Sequence, residues 1–152
     1  MTDYTLMIKQ AEALAKSCMW DITLYANISA LLFESLNDIN WAGFYVVKNG
    51  ELLLGPFQGN VACVRIQKGK GVCGTAWEQD KTQLVPDVHA FPGHIACDAA
   101  SRSEIVVPIH HAGEVAAVLD IDSPVEGRFD EEDKAGLESF VMSIQKILQK
   151  DG

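Results

Sequence analysis

Hydrophobic positions along this chain follow two periods, and the change from one to the other sets out its elements. Leu6, Met7, Gln10, Ala13 and Leu14 recur at helical spacing between Asp3 and about Lys16, and Leu24, Ile28, Leu31, Leu32 and Phe33 do so between about Asp21 and Leu36. Asp21 has the short acceptor side chain that an N-cap needs. A further helix is predicted from Asp130 to about Lys150, with Leu137, Val141, Ile144 and Leu148 on one stripe. Asp130 reads as its N-cap, and Glu131, Glu132 and Asp133 suit the positive end of the helix dipole.

The stretches between these helices read as strands. Asn40 to Val47 is rich in aromatic and β-branched residues, Asn49-Gly50 is a strong hairpin signal, and the return strand is Glu51 to Phe57. Alternation puts Trp41, Gly43, Tyr45 and Val47 on one face, with Ala42, Phe44 and Val46 on the other. Val61 to Ile66 predicts another strand, Lys68 to Trp77 runs through glycines into a short helix ending near Gln79, and Gln83 to Val85 predicts a short strand closed by Pro86. The lysines and glycines of that run fit neither a phosphate loop nor a dinucleotide fingerprint. Asp87 to Ser103 is a long irregular connection holding His89, His94 and Cys97, and connections of that length are usually functional or mobile.

Glu104 to His110 and Glu114 to Asp122 predict two strands joined by a turn around Ala112-Gly113. A three-residue loop over residues 111 to 113 pairs His110 with Glu114 and places Glu104 opposite Asp120, with Asp122 on the same face because side chains alternate. A two-residue loop would instead put Glu104 opposite Ile121 and break up the three acids. The other face carries Val115, Ala117, Leu119 and Ile121, which suits packing on helices.

Composition narrows the class. A chain of 152 residues, 48% hydrophobic and without repeats or an internal linker, predicts one domain over residues 1–152 with a proper core. A net charge of -9 and the lack of any Lys/Arg cluster argue against nucleic acid, whose affinity rests on neutralising phosphates. Met1-Thr2-Asp3-Tyr4 does not open like a secretion signal, and no apolar run approaches the roughly 20 residues needed to cross a bilayer, so no membrane association and a cytoplasmic location are expected. The four cysteines, at 18, 63, 73 and 97, form no C-x-x-C pair, which excludes a zinc ribbon and a thioredoxin-type motif. Without an export signal they are expected to be reduced at rest, each either buried or catalytic, and no metal or cofactor is expected. Cys18 reads as structural, and His89, His94, His110 and His111 as loop or turn residues outside the catalytic set.

Candidate chemistry gathers between Gly93 and Pro108. There Cys97 stands among Gly, Ala and Ser, small residues that let backbone approach a ligand, and a loop thiol is available for nucleophilic or redox chemistry. Glu104, Asp120 and Asp122 side by side repel one another and need a cation, a shared proton or water. They could hold a divalent metal, hold the ammonium of a small amine, or include a protonated acid that donates to an oxygen. Asp120 and Asp122 could equally just begin a turn at Ser123-Pro124. Metal alone would leave Cys97 without a role, since hard cations prefer oxygen ligands.

Asn40-Trp41-Ala42-Gly43-Phe44-Tyr45, Gly55-Pro56-Phe57-Gln58-Gly59, Ala62-Cys63-Val64-Arg65-Ile66, Gly69 to Ala76, Gly93-His94-Ile95-Ala96-Cys97-Asp98 and Leu119-Asp120-Ile121-Asp122-Ser123 together resemble the free methionine-(R)-sulfoxide reductases, single GAF-domain enzymes. The spacing from Cys63 to Cys73 to Cys97 agrees with that family too. The resemblance implies an α+β GAF-like fold (an α/β sandwich), an antiparallel sheet with the N- and C-terminal helices on one face and the ligand pocket on the other. It implies reduction of free methionine (R)-sulfoxide to methionine, with Cys97 as the attacking cysteine, Cys63 as the main resolving cysteine and Cys73 as an assisting third. Trp41, Tyr45, Glu104, Asp120 and Asp122 match the family's substrate pocket. A thiolate can attack the sulfoxide sulfur once an acid binds its oxygen, and the resulting sulfenic acid would condense to a disulfide that a dithiol donor such as thioredoxin resets. The competing expectation is a GAF sensory module that binds a small molecule without chemistry. A binder has no need for Cys63 and Cys97 to meet, whereas a reductase does. Exposed apolar helix faces would permit a homodimer.

Overall fold

The computed structural model describes residues 2–95, 97 and 99–148. Helices α1 (Tyr4–Ala15) and α2 (Asp21–Ser35) lead into the hairpin β1 (Trp41–Lys48) and β2 (Glu51–Gly59). β3 (Arg65–Ile66), α3 (Gly71–Gln79) and β4 (Gln83–Val85) follow, then a 3-10 turn over Val88–Ala90, the hairpin β5 (Ser103–His111) and β6 (Glu114–Ser123), and α4 (Glu131–Gln145). The strands form one antiparallel sheet in the order β3-β2-β1-β6-β5-β4, so the two long hairpins lie side by side at its centre.

Each face of the sheet buries its own core. On one side α1, α2 and α4 cover Ala42, Phe44, Ile105, Val107, Ile109, Ala117, Leu119 and Ile121. On the other, α3 and the connections around it cover Trp41, Tyr45, Leu52, Val106 and Val118. The α+β GAF-like arrangement expected from the resemblance, terminal helices on one face and a pocket on the other, is the one observed. Among the described residues no helix is long and apolar enough to cross a membrane.

Local signals placed the hairpins and several helix ends correctly. Lys48 pairs with Glu51 across Asn49-Gly50, whose φ angles of 54° and 78° are those of the two-residue turn that matches strand twist. Asp130 caps α4 through a capping box, accepting from Asp133 N at 2.9 Å while Asp133 Oδ2 accepts from Asp130 N at 3.0 Å. Leu137, Val141, Ile144 and Leu148 are all buried. The helix itself stops at Gln145; the end expected near Lys150 lies outside the described residues.

Other expectations are corrected. Trp20, not Asp21, is the N-cap of α2, and Asp21 sits in the first turn, where an acid still favours the dipole. The buried ridge of α1 is Met7, Ala11 and Ala15, leaving Leu6 51% exposed, because the two alanines let the helix lie close against α2 and α4. Only Arg65 and Ile66 of the expected strand over Val61 to Ile66 join the sheet. In the segment before them two carbonyls are taken by pocket side chains, Trp41 Nε1 donating to Asn60 O at 3.0 Å and Tyr45 Oη to Cys63 O at 2.9 Å, while Val64 O accepts from Leu54 N of β2 at 2.9 Å.

The register of β5 and β6 is a more consequential correction. His111 pairs with Glu114, so the loop is the two-residue turn Ala112-Gly113, with φ of 55° and 82°, and not the three-residue loop. That turn alone would have split the three acids between faces. The ladder slips by one residue at Ala116, which lies between the pairs His110–Val115 and Ile109–Ala117. Beyond the slip Glu104 faces Asp122, and Asp120 faces Val106. All three carboxylates return to one face, and Val115, on the near side of the slip, packs on the pocket side rather than on the helices.

Candidate active site

Alternate residues of the three central strands build the pocket floor. Trp41 and Tyr45 rise from β1, Glu104 from β5, and Asp120 and Asp122 from β6, where they pair with Gly43 and Trp41 of β1. Gly43 is required by close approach, since a Cβ there would sit 2.2 Å from that of Phe57. The space it leaves lets Phe57 stack on Trp41 at 5.0 Å between ring centroids, and Tyr45 also stacks on Trp41 at 6.0 Å. Cys73, near the start of α3, closes one wall with Gly71 and Val72; Ala62, His94, Ile95, Cys97 and Ser101 are among the other lining residues.

Cys63 and Cys97, 34 positions apart, are joined by a disulfide with Cα atoms 5.4 Å apart. The expectation that the cysteines rest reduced therefore does not hold for this pair. Cys18 and Cys73 take no part in a disulfide. Beside the bond lies a cavity of about 40 Å³. A water needs about 10–15 Å³ on such a measure, so the space accommodates a few waters and not an amino acid.

Electrostatics dominate the floor. Glu104, Asp120 and Asp122 are 7%, 6% and 8% exposed, and no described Lys or Arg lines the cavity to balance them. Burial, reinforced by the charges of Asp120 and Asp122, holds the Glu104 carboxyl well above the usual range, which favours its protonated form. Burial raises Asp120 as well, but hydrogen bonds with Glu104, Cys73 and Asp122 oppose that rise. Asp120 Oδ1 is buried without a hydrogen-bond partner. The Cys73 thiol is pushed up by burial and then by Asp120, Glu104 and Asp122, and the Tyr45 hydroxyl by burial and Asp120. His94 is lowered by burial and by His89, so it lines the site as a neutral ring.

Trp41, Tyr45, Cys73, Cys97, Glu104, Asp120 and Asp122 thus surround one cavity, and Cys63 is bonded to one of them. Reasoning from sequence set His94 aside as a loop residue and did not single out Ser101, which accepts from Asn40 Nδ2 at 3.2 Å at the pocket edge. His94 stood within a family-like motif, the one signal that pointed to it. Ser101 carried none, because its place depends on how the long loop folds back.

Terminal helices on one face of an antiparallel sheet and a pocket on the other define a GAF-type domain, and the GAF domain family model matches residues 26–149. The chain is 58% identical over 123 residues to the free methionine-R-sulfoxide reductase of Escherichia coli K12, covering 81% of this chain and 74% of that protein. The reduced form of Staphylococcus aureus fRMsr superposes with a TM-score of 0.95 at 54% identity, covering 98% of this chain and 97% of that one. The free methionine-R-sulfoxide reductase of Neisseria meningitidis, solved in complex with its substrate, does so with a TM-score of 0.91 at 42% identity, covering 95% and 87%. The chain belongs to the GAF-domain family of free methionine-R-sulfoxide reductases.

Proposed function

We propose that this protein reduces free L-methionine (R)-S-oxide to methionine, as a single domain over residues 1–152 working in the cytoplasm, with Cys97 as nucleophile. The observation that carries the reading is that Cys97, bonded to Cys63, lines a cavity floored by buried acids. Protonated Glu104 is the acid that hydrogen-bonds the sulfoxide oxygen and makes the sulfur electrophilic. Asp120, with a free acceptor atom, and Asp122 receive the substrate α-ammonium. Trp41 packs against the S-methyl group, and backbone N–H groups before Cys97 take the α-carboxylate.

Attack by the Cys97 thiolate on sulfur ends with the oxygen on the cysteine, giving methionine and a Cys97 sulfenic acid; the cysteine is oxidised as the sulfoxide is reduced. The Cys63 thiol then displaces that oxygen as water and forms the disulfide. A dithiol donor such as thioredoxin reduces it and becomes a disulfide in turn. Because the cavity beside the intact bond is too small for the substrate, reduction of the bond precedes binding. Cys73 assists as a neutral thiol hydrogen-bonded to Asp120, a state its surroundings favour over a nucleophilic thiolate.

The test is methionine released from each separated epimer of free methionine sulfoxide, with dithiothreitol as donor. Turnover of the R form alone, lost in Cys97→Ser, is expected. No turnover by freshly reduced wild type would leave a ligand-binding module.

A further inference from the structure

One donor set on the pocket floor is only partly used by that reading. Cys73 Sγ and one carboxylate oxygen each of Glu104 and Asp120 lie within 4.8 Å of one another, and all three residues are buried. Asp120, 94% buried by its exposure of 6%, lines the same cavity, and its Oδ1 is buried without a hydrogen-bond partner. An acceptor left buried without a donor is costly, and no described Lys or Arg reaches the cavity, so the floor is built to meet a cation that arrives from outside. The substrate ammonium is one such cation. A metal ion is another, and the donor types say which.

Magnesium and calcium take six or more oxygen ligands, which a site of one sulfur and two carboxylates does not supply. Ions of the zinc class accept mixed sulfur and oxygen donors in fours. Bonds of about 2.0–2.3 Å in a tetrahedron separate ligand atoms by about 3.5 Å, within a small shift of the spacing here. We propose that Cys73, Glu104 and Asp120 form a site for a zinc-class divalent cation, with water as fourth ligand, and that the bound ion keeps the substrate ammonium off the same floor. Only the second part rests on the reductase reading. Binding displaces the protons of the Cys73 thiol and of Glu104 into solvent, with no change of oxidation state.

The disulfide-bonded protein isolates the site, because Cys63 and Cys97 are then unavailable and the other cysteine outside the bond, Cys18, packs on the helix side of the sheet. Cadmium titrated into that form should give one equivalent of binding with the ultraviolet charge-transfer band of a cadmium–thiolate bond. The band should persist in Cys18→Ser, vanish in Cys73→Ser, and need at least about tenfold more metal in Asp120→Asn. Circular dichroism of each variant establishes that it is folded. No band in the wild type, a band surviving in Cys73→Ser, or an unchanged affinity in Asp120→Asn overturns the site. In a Cys63→Ser/Cys97→Ser double variant, methionine (R)-sulfoxide should displace the cadmium, and failure to do so overturns the exclusion. Failure of the reductase reading shows separately, as absent methionine release by the metal-free wild type.

Discussion

On β5 and β6, neighbouring residues serve opposite ends. Ile105, Val107, Leu119 and Ile121 enter the helix-side core, where almost everything they touch is apolar. Glu104, Asp120 and Asp122, each one position away, are buried nearly as deeply on the other face and bring like charges together. The first face stabilises the fold; the second draws on that stability to keep carboxyls raised above their usual range and one acceptor without a partner. The same two strands carry both, so the contrast is open to single substitutions.

The largest effect on stability is expected from the apolar face. Leu119→Ala, at a fully buried position paired with Phe44 and Val107, should lower unfolding free energy by about 2–5 kcal/mol in urea titrations. Methionine release per folded molecule should stay close to wild type. If activity fell as far as stability, the two faces would not be separable.

Glu104→Gln should invert that outcome. Loss of the acid is expected to lower methionine release by about a hundredfold, equivalent to about 2.7 kcal/mol of barrier, with stability at neutral pH unchanged or higher. Glu104 is raised in the folded state, so above about pH 4.3, where the unfolded carboxyl ionises, the unfolded chain binds fewer protons than the folded one. Stability contributed by this group is therefore complete in acid and is lost as pH rises towards the folded value; Asp120, also raised, adds the same sign. Urea titrations from about pH 4 to 8 should show a shallower decline in Glu104→Gln than in wild type. An equal slope in the two proteins would mean that Glu104 is not the proton holder.

The smallest effect is expected where the pocket face holds its roof. Tyr45→Phe removes one hydrogen bond to Cys63 O and leaves the ring stacked near Trp41. In a single turnover, methionine release should be almost unchanged while closure of the Cys63–Cys97 bond slows by about two- to tenfold, the worth of one such bond. Equal slowing of both steps would tie the hydroxyl to the substrate and not to the resolving cysteine.

The contrast between faces was largely legible before any tertiary information. Alternation on β1 assigned Trp41 and Tyr45 to one side and Ala42, Phe44 and Val46 to the other, as found. Asn49-Gly50 and Asp130 with its first-turn acids marked their turn and cap, because such signals act within four residues. Val115 escaped that logic: the slip at Ala116 sits in the uniform apolar run Val115-Ala116-Ala117-Val118, which carries no mark of a bulge. The stripe on α1 failed likewise, since Ala11 and Ala15 are unremarkable in sequence and become the contact ridge only against α2 and α4.

By itself the sequence determined the order of elements, the faces of β1, the helix cap of α4, and the motifs whose resemblance pointed to the family. These depend on period, short-range hydrogen bonding and residue type. Tertiary structure decided that Cys63 and Cys97, paired beforehand only by the resemblance, meet across 34 positions, that a two-residue turn and a slip set Glu104 against Asp122, and that the Glu104 carboxyl is raised. Each of those is a balance among groups distant in sequence, where burial and neighbouring charge outweigh anything the residue type specifies.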